Sequence, residues 1–359
     1  MSTDRTILIV VPNAASAQSL TSALEQEGWR VQAAGDVHAA FQQARQTKPD
    51  AMVIRSDVPG GGGLALVQKL RGSAHTALTR VVALVDGSPL EKHEYQRWGV
   101  QACLHCPVDD AAVVQALKTP AEPLTTSPNA PAAILENASR RKALERSGLL
   151  DSPPEELFDR VTRLAATLLE VPTVLMTIVD NQRQFFKSHV GLPEPVARAR
   201  ETPLSYSFCQ WVVADDDTLI VADTRQHPLL RLNPSTTEMG VVAYAGVPIR
   251  SSDVEPIGSL CAIDSKPRLW SDAELSSLRN AAAVIEGITA LREASRLGPI
   301  CWKESREVAA AGGRAVASGV RLLQDVGSRL SAAQKRELLE IVGTLGSQLE
   351  STASRDGGE

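Results

Sequence analysis

Between Thr6 and Lys118, short aliphatic and β-branched runs alternate with amphipathic stretches, and this alternation restricts the chain more than any other feature. The first cycle is Ile7-Leu8-Ile9-Val10-Val11, then a helical stretch from Ala14 to Glu27 that Gly28 closes. The runs Arg30-Val31-Gln32-Ala33, Ala51-Met52-Val53-Ile54, Arg80-Val81-Val82-Ala83-Leu84-Val85 and Val100-Gln101-Ala102-Cys103-Leu104 each precede another helix-like segment. Five strand–helix cycles in succession place crossover helices on both faces of one sheet. They predict a five-stranded, doubly wound parallel sheet, an α/β unit.

The pattern breaks at Thr119–Ala132, where four prolines sit among Thr, Ser, Asn and Ala. Such a stretch buries no core, and residues 119–133 are read as an extended linker. From Ile134 a charged helix is expected through Ser147 with Gly148 as its stop. Ser152-Pro153-Pro154-Glu155 then reads as an N-cap box before an amphipathic helix to Leu169. The runs Val174–Val179, Gln184–His189, Thr218–Val221, Val241–Ile249 and Ile257–Ile263, separated by turn residues, predict an antiparallel sheet flanked by helices, an α+β unit over 134–297. Ser271-Asp272-Ala273-Glu274 opens a helix to about Arg296, which Gly298-Pro299 stops.

After Trp302 the sequence predicts a helical hairpin over 302–353. One apolar seam runs through Val308, Gly312, Ala315, Gly319, Leu322 and Val326, a second through Leu338, Ile341, Leu345 and Leu349, with Ser331 capping the second helix. Two helices bury only one seam against each other and leave Leu323, Leu339 and Val342 in water. A hairpin from a second copy is therefore the expected completion of a four-helix bundle. The tail over 354–359 is expected to be disordered.

At 359 residues the chain exceeds the roughly 150 of a single domain. Hydrophobic residues at 43% and charged residues at 22% exclude wholesale disorder. With 37 Lys+Arg against 42 Asp+Glu, the net charge of −5 gives no electrostatic reason to seek nucleic acid or anionic lipid. The N-terminal MSTDRT has no secretory pattern, no run approaches the ~18 apolar residues of a membrane span, and a cytoplasmic location is expected. Five cysteines form no disulfide framework.

Residues 5–118 resemble the receiver domains of two-component signalling, most clearly in Pro49-Asp50-Ala51-Met52-Val53-Ile54-Arg55-Ser56-Asp57-Val58-Pro59-Gly60. The resemblance implies an acidic pair after strand one for Mg²⁺, a phosphoacceptor Asp after strand three, Thr or Ser after strand four and Lys after strand five. Those positions hold Val11 and Pro12, Arg55, Val85 and Cys106. Val and Pro offer Mg²⁺ no side-chain oxygen, and Arg cannot accept a phosphoryl group, so a pseudo-receiver is expected. Asp57 stands two residues before Pro59, whereas the acceptor stands four before. Cys103-Leu104-His105-Cys106 has CxxC spacing, readable as a redox pair or half a metal site, or as two packed thiols; no second such element closes a metal site. Gly60-Gly61-Gly62-Gly63 lacks the Gly-Lys-Ser/Thr ending of a phosphate loop and reads as a floppy loop before helix three.

Residues 134–296 resemble a GAF domain, through Leu144-Glu145-Arg146-Ser147-Gly148-Leu149-Leu150-Asp151-Ser152-Pro153, Ser207-Phe208-Cys209, Tyr244-Ala245-Gly246-Val247-Pro248 and Gly258-Ser259-Leu260-Cys261-Ala262-Ile263-Asp264. Such domains bind small ligands between sheet and helices, or serve as dimerisation and relay modules. A pocket here would use Phe208, Cys209, Trp211, Tyr244 and Cys261; plain core packing is the competing reading for each. Cys209 becomes a redox sensor if a neighbouring cation stabilises its thiolate, and His189 and His227 read as surface or capping residues. The hairpin resembles the dimerisation and phosphoacceptor helices of histidine kinases, with Arg306 of Ser305-Arg306-Glu307-Val308 in the histidine's frame and no ATP-binding domain following.

The expectation is a non-catalytic signalling protein that acts by protein contact as a homodimer, with a histidine kinase or response regulator as partner, and without metal or cofactor. The alternative is a small-molecule or redox sensor whose GAF pocket regulates a partner kinase or transcription factor.

Overall fold

The computed structural model describes residues 5–12, 14–86, 89–100, 102–119, 125–297, 302–326 and 331–355. The chain divides into two compact units, Met1–Thr125 and Thr126–Glu359.

In the first unit β1 (Arg5–Val10), β2 (Trp29–Ala34), β3 (Ala51–Arg55), β4 (Arg80–Val85) and β5 (Ala102–His105) form a parallel sheet in the order β2-β1-β3-β4-β5. The helices α1 (Ala14–Gln26), α2 (Val37–Thr47), α3 (Gly62–Gly72), α4 (Pro89–Arg97) and α5 (Asp110–Lys118) alternate with the strands. Both faces are covered, which is why β1 is apolar and buried from Ile7 to Val10. Leu8 and Val10 enter one core with Met52 and Ile54, while Ile7 and Ile9 enter the other with Ala51 and Val53.

The glycine run is not a floppy loop. Gly60, Gly61 and Gly62 hold positive φ, and a Cβ on Gly63 would stand 2.3 Å from the Arg55 carbonyl and 2.6 Å from the Tyr95 hydroxyl. Close approach of α3 to the end of β3 therefore needs a residue without a side chain.

The second unit carries an antiparallel sheet of β6 (Thr173–Val179), β7 (Arg183–Val190), β8 (Glu201–Pro203), β9 (Leu219–Val221), β10 (Ala243–Arg250) and β11 (Pro256–Asp264), ordered β8-β7-β6-β11-β10-β9. The edge strand β8 is too short, and too close to a proline, to read as a strand in sequence. Helices α6 (Ala132–Leu135), α7 (Ala138–Ser147), α8 (Glu156–Leu169), α9 (Glu194–Ala199), α10 (Cys209–Asp215), α11 (Pro234–Thr237) and α12 (Asp272–Leu297) accompany the sheet, and α13 (Trp302–Val326) and α14 (Ala332–Arg355) form the hairpin. Among the described residues no helix is long and apolar enough to cross a membrane.

Four local expectations are corrected. The helix expected from Ile134 is two, because the Asn137 side chain accepts from the Ser139 and Arg140 amides and starts α7 afresh. Ser152 does not cap α8, which begins at Glu156. The buried ammonium of Lys187 donates instead to Ser152 Oγ at 2.7 Å, Pro153 O at 2.6 Å and Glu155 Oε1 at 2.6 Å, removing the box residues from capping. The downstream end of the proline-rich stretch is packed rather than extended, since Ala130 is buried and its amide donates to Gln210 Oε1 at 2.8 Å. Helix α14 runs through Ser354 to Arg355, where a disordered tail was expected. The boxes at Ser271 and Ser331 form as expected.

The hairpin seam is covered from within the chain. Ala315, Leu322, Leu338, Ile341 and Leu345 share one core with Val161, Leu164 and Leu168 of α8 and Leu278, Ile285 and Leu291 of α12. Arg160 on α8 reaches Glu337 Oε1 at 3.1 Å and Glu340 Oε2 at 2.9 Å on α14. Val342 packs against this core over Gly319. The four-helix arrangement expected from a second copy is thus completed by α8 and α12. Leu339 remains 55% exposed. The Gly298-Pro299 break and the side chains of Val308, Leu323, Val326 and Leu349 lie outside the described residues.

Candidate functional site

Ligands of open parallel sheets bind beyond the carboxyl ends of the strands. Here Val11 and Pro12 follow β1, Arg55 ends β3, Val85 ends β4, and Cys106 follows β5. Val11, Arg55 and Cys106 line a recess of about 380 Å³ with Asp109 and Asp110. Val85 is turned into the core and Pro12 lies outside the recess.

The Arg55 guanidinium is bound through Nε and Nη2. Its Nε donates to Asp57 Oδ1 at 2.8 Å and its Nη2 to Asp57 Oδ2 at 3.1 Å and Asp86 Oδ2 at 2.8 Å. The bond to Asp57 foremost holds the guanidinium above its ordinary value, against burial. Asp86 was missed in sequence because it follows β4 without any motif. Receiver chemistry would require Mg²⁺ among hard oxygen donors; the side chains of Val11 and Pro12 supply none, Arg55 binds Asp57 and Asp86, Asp109 caps α5 by accepting from the Ala111 amide, and Asp110 accepts from Ser19 Oγ, so the residues present do not fit that ion. Arg306 lies on α13 with its side chain outside the described residues.

Cys103 and Cys106 do not converge. Cys103 packs on the core that contains Leu8 and Met52, and Cys106 on the opposite core, which contains Ile7 and Val53. Burial foremost raises both thiols, and the intervening His105 is exposed. Among the described residues no group of three or more His, Cys, Asp or Glu is placed to hold a metal.

The second unit holds a cavity of about 200 Å³ between β6, β7, β10 and β11, the start of α10 and the segment 235–241. Phe208, Cys209, Tyr244 and Cys261 all line it. The Phe208 and Tyr244 rings meet edge to face with centroids 5.3 Å apart. A Cβ on Gly246 would stand 2.2 Å from the Tyr244 hydroxyl, so that ring lies along its own strand over a bare glycine. From there the hydroxyl stands 3.4 Å from Cys209 Sγ, which is 3.7 Å from Cys261 Sγ.

These groups titrate together. A hydrogen bond from Cys261 foremost brings the Cys209 thiol down to about 7, against burial, with Tyr244, Thr177 and Ser259 assisting. The same bond, then burial, pushes Cys261 well up, and burial foremost does so for Tyr244. The stabilisation that sequence reading sought in a cation comes from thiol and hydroxyl donors.

Trp211 is corrected: it is buried in the core and does not line the cavity. Two residues beyond Cys209 on a helix is a rotation of about 200°, which turns Trp211 away. Gln184, Phe186, Tyr206 and Met239 line the cavity and were missed. Gln184 and Phe186 were legible as alternate residues of one strand, whereas Met239 sits in an irregular segment without periodicity. His227 caps a turn, accepting at Nδ1 from the Leu229 and Leu230 amides, and burial lowers the half-buried His189.

The response regulator receiver domain family matches residues 7–118 and the GAF domain family residues 153–287. In its GAF region the chain is 34% identical over 131 residues to the cyclic di-GMP phosphodiesterase PA2567 of Pseudomonas aeruginosa, covering 36% of this chain and 22% of that protein. It is 36% identical over 66 residues to the probable transcriptional regulatory protein TcrX of Mycobacterium tuberculosis, 18% of this chain and 28% of that protein. The chain thus spans about a quarter of the length of these curated relatives. Chemotaxis response regulator CheY4 of Vibrio cholerae aligns at 22% identity over 32% of this chain and 98% of its own, with a TM-score of 0.31.

Proposed function

We propose that this chain, which carries a receiver domain and a GAF domain of bacterial two-component type, is a non-catalytic cytoplasmic signalling protein whose receiver domain takes no phosphoryl group and works by protein contact. The observation that carries this reading is Arg55: a guanidinium stands where the phosphoacceptor would stand and binds Asp57 and Asp86. A phosphorylated receiver changes its surface when a new negative charge recruits neighbouring groups. Here a fixed positive charge holds the neighbouring carboxylates permanently, which favours one surface for a partner kinase or response regulator. Magnesium titration by calorimetry tests this directly. No binding heat is expected from the native chain, and a stoichiometric Mg²⁺ site abolished by Asp57→Asn would refute it.

Homodimerisation belongs to the same proposal and rests on the exposed Leu339. Light scattering across a concentration series should show a dimer that Leu339→Glu weakens; a monomer at the highest concentration sinks this part. The relatives' names do not extend the reading to phosphodiesterase activity or transcriptional regulation, because the shared segments are short parts of those proteins.

A second reading, ligand sensing by the GAF domain, is favoured by the cavity itself, apolar with a few polar and soft atoms. Binding to the folded state alone raises the melting temperature, so a metabolite panel in a thermal-shift assay tests it. A reproducible shift lost in Tyr244→Ala supports sensing, and a uniformly silent panel counts against it.

A further inference from the structure

We propose that Cys209 and Cys261 form a redox dithiol which a small hydroperoxide, entering the cavity of the GAF domain, converts into a disulfide. The two sulfurs belong to different elements, the first turn of α10 and the middle of β11, and stand 3.7 Å apart without a bond. A disulfide closes at about 2.05 Å, so a side-chain adjustment of under about 2 Å joins them. Both line the cavity, and exposed Gly191, Pro193 and Gly240 form its rim, so a small solute has a way in toward Cys209, which is 2% exposed, while Cys261 is fully buried. Thiol groups packed against hydrocarbon are inert, but these sit among hydroxyls. Tyr244 Oη is 3.4 Å from Cys209 Sγ, and Thr177 and Ser259, opposite each other across β6 and β11, have no oxygen or nitrogen partner for their buried hydroxyls. Among the described cysteines no other pair meets: Cys103 and Cys106 face opposite cores.

The chemistry balances without a further reagent. The Cys209 thiolate attacks the terminal peroxide oxygen, the O–O bond breaks, and the departing alkoxide takes up the proton that the Cys209 thiol has shed. Cys261 sulfur then attacks the resulting sulfenic sulfur; the S–S bond forms, the S–O bond breaks, and hydroxide leaves with the Cys261 proton as water. Two thiols lose two electrons and two protons, and the hydroperoxide becomes an alcohol and water. The bond would fasten α10 to the sheet. Gln210, next to Cys209, holds the Ala130 amide, so the oxidation state of the pair bears on how firmly the entering segment is anchored. This inference is independent of Arg55 and survives or fails separately from it.

The test uses the full chain, reduced, freed of reductant under argon and treated with hydrogen peroxide. The expected result is loss of two of its five alkylatable thiols, an intact mass lower by two hydrogens, and a non-reducing peptide map linking residues 209 and 261. Cys261→Ser should stop at a sulfenic acid on Cys209 that dimedone captures, and Cys209→Ser should leave Cys261 unreacted. The map of the native chain decides the matter even where a variant fails to fold. A link between Cys103 and Cys106 with both cavity thiols still free overturns the proposal. So does a stoichiometric copper or zinc ion in the purified protein that blocks alkylation of Cys209 and Cys261 until it is chelated.

Discussion

Replacing Ile341 with alanine should destabilise the whole second unit, not the hairpin alone. Ile341 is 0% exposed and lies in the core that α14 shares with α8 and α12. Truncation removes apolar surface and leaves a cavity, a combined cost of about 2–5 kcal/mol that depends on how far the neighbours collapse. Collapse is restrained here because Arg160 ties α8 to Glu337 and Glu340, which stand four and one residues before Ile341 on α14. Taking ~3 kcal/mol, and ~2–4 °C of melting temperature per kcal/mol for a unit of this size, the transition should fall by about 6–12 °C. Calorimetry of the full chain reads the fall, and hydrogen exchange locates it. Protection should drop together in peptides from α8, α12 and α14. A fall below about 2 °C, or lost protection confined to α13 and α14, would refute the shared core and return the hairpin to an independent appendage.

Gly246→Ala forces its methyl against the Tyr244 hydroxyl, 2.2 Å away before relaxation; overpacking of this kind costs about 1–3 kcal/mol in chemical denaturation. An unchanged midpoint would show that the Tyr244 ring moves freely. The reaction of Cys209 with iodoacetamide should rise with pH and level off above about 7, because hydrogen bonding favours its thiolate. An ordinary thiol instead continues to gain up to about 8.5. Tyr244→Phe removes one donor to the sulfur and should move the midpoint upward; a midpoint that moves down, or one already at the ordinary value in the native chain, contradicts the hydrogen-bonded thiolate.

Features encoded within a few residues were legible, and those set by distant partners were not. The five strand–helix cycles and the boxes at Ser271 and Ser331 involve neighbours in sequence, and sequence reading located them. Ser152 carries the same local signature, yet Lys187, far along the chain and buried, claims its hydroxyl. The seam of the hairpin was visible from periodicity, but periodicity names a face and not what covers it, so α8 and α12 were mistaken for a second copy. At the cavity, residue chemistry pointed to Cys209, Tyr244 and Cys261, while helix phase excluded Trp211. Asp86 and Met239 depend on loop geometry that no local pattern records.

The account turns on whether the receiver domain accepts phosphate. Incubating the full chain with Mg²⁺ and acetyl phosphate, and measuring intact mass beside a peptide map, tests this most directly. Because the side chains of Val11 and Pro12 offer Mg²⁺ no oxygen and Arg55, at the position where the receiver resemblance puts the acceptor, has its charge already paired to Asp57 and Asp86, the mass should stay unchanged. A phosphoryl group mapped to residues 50–60, on Asp57 above all, would contradict the account.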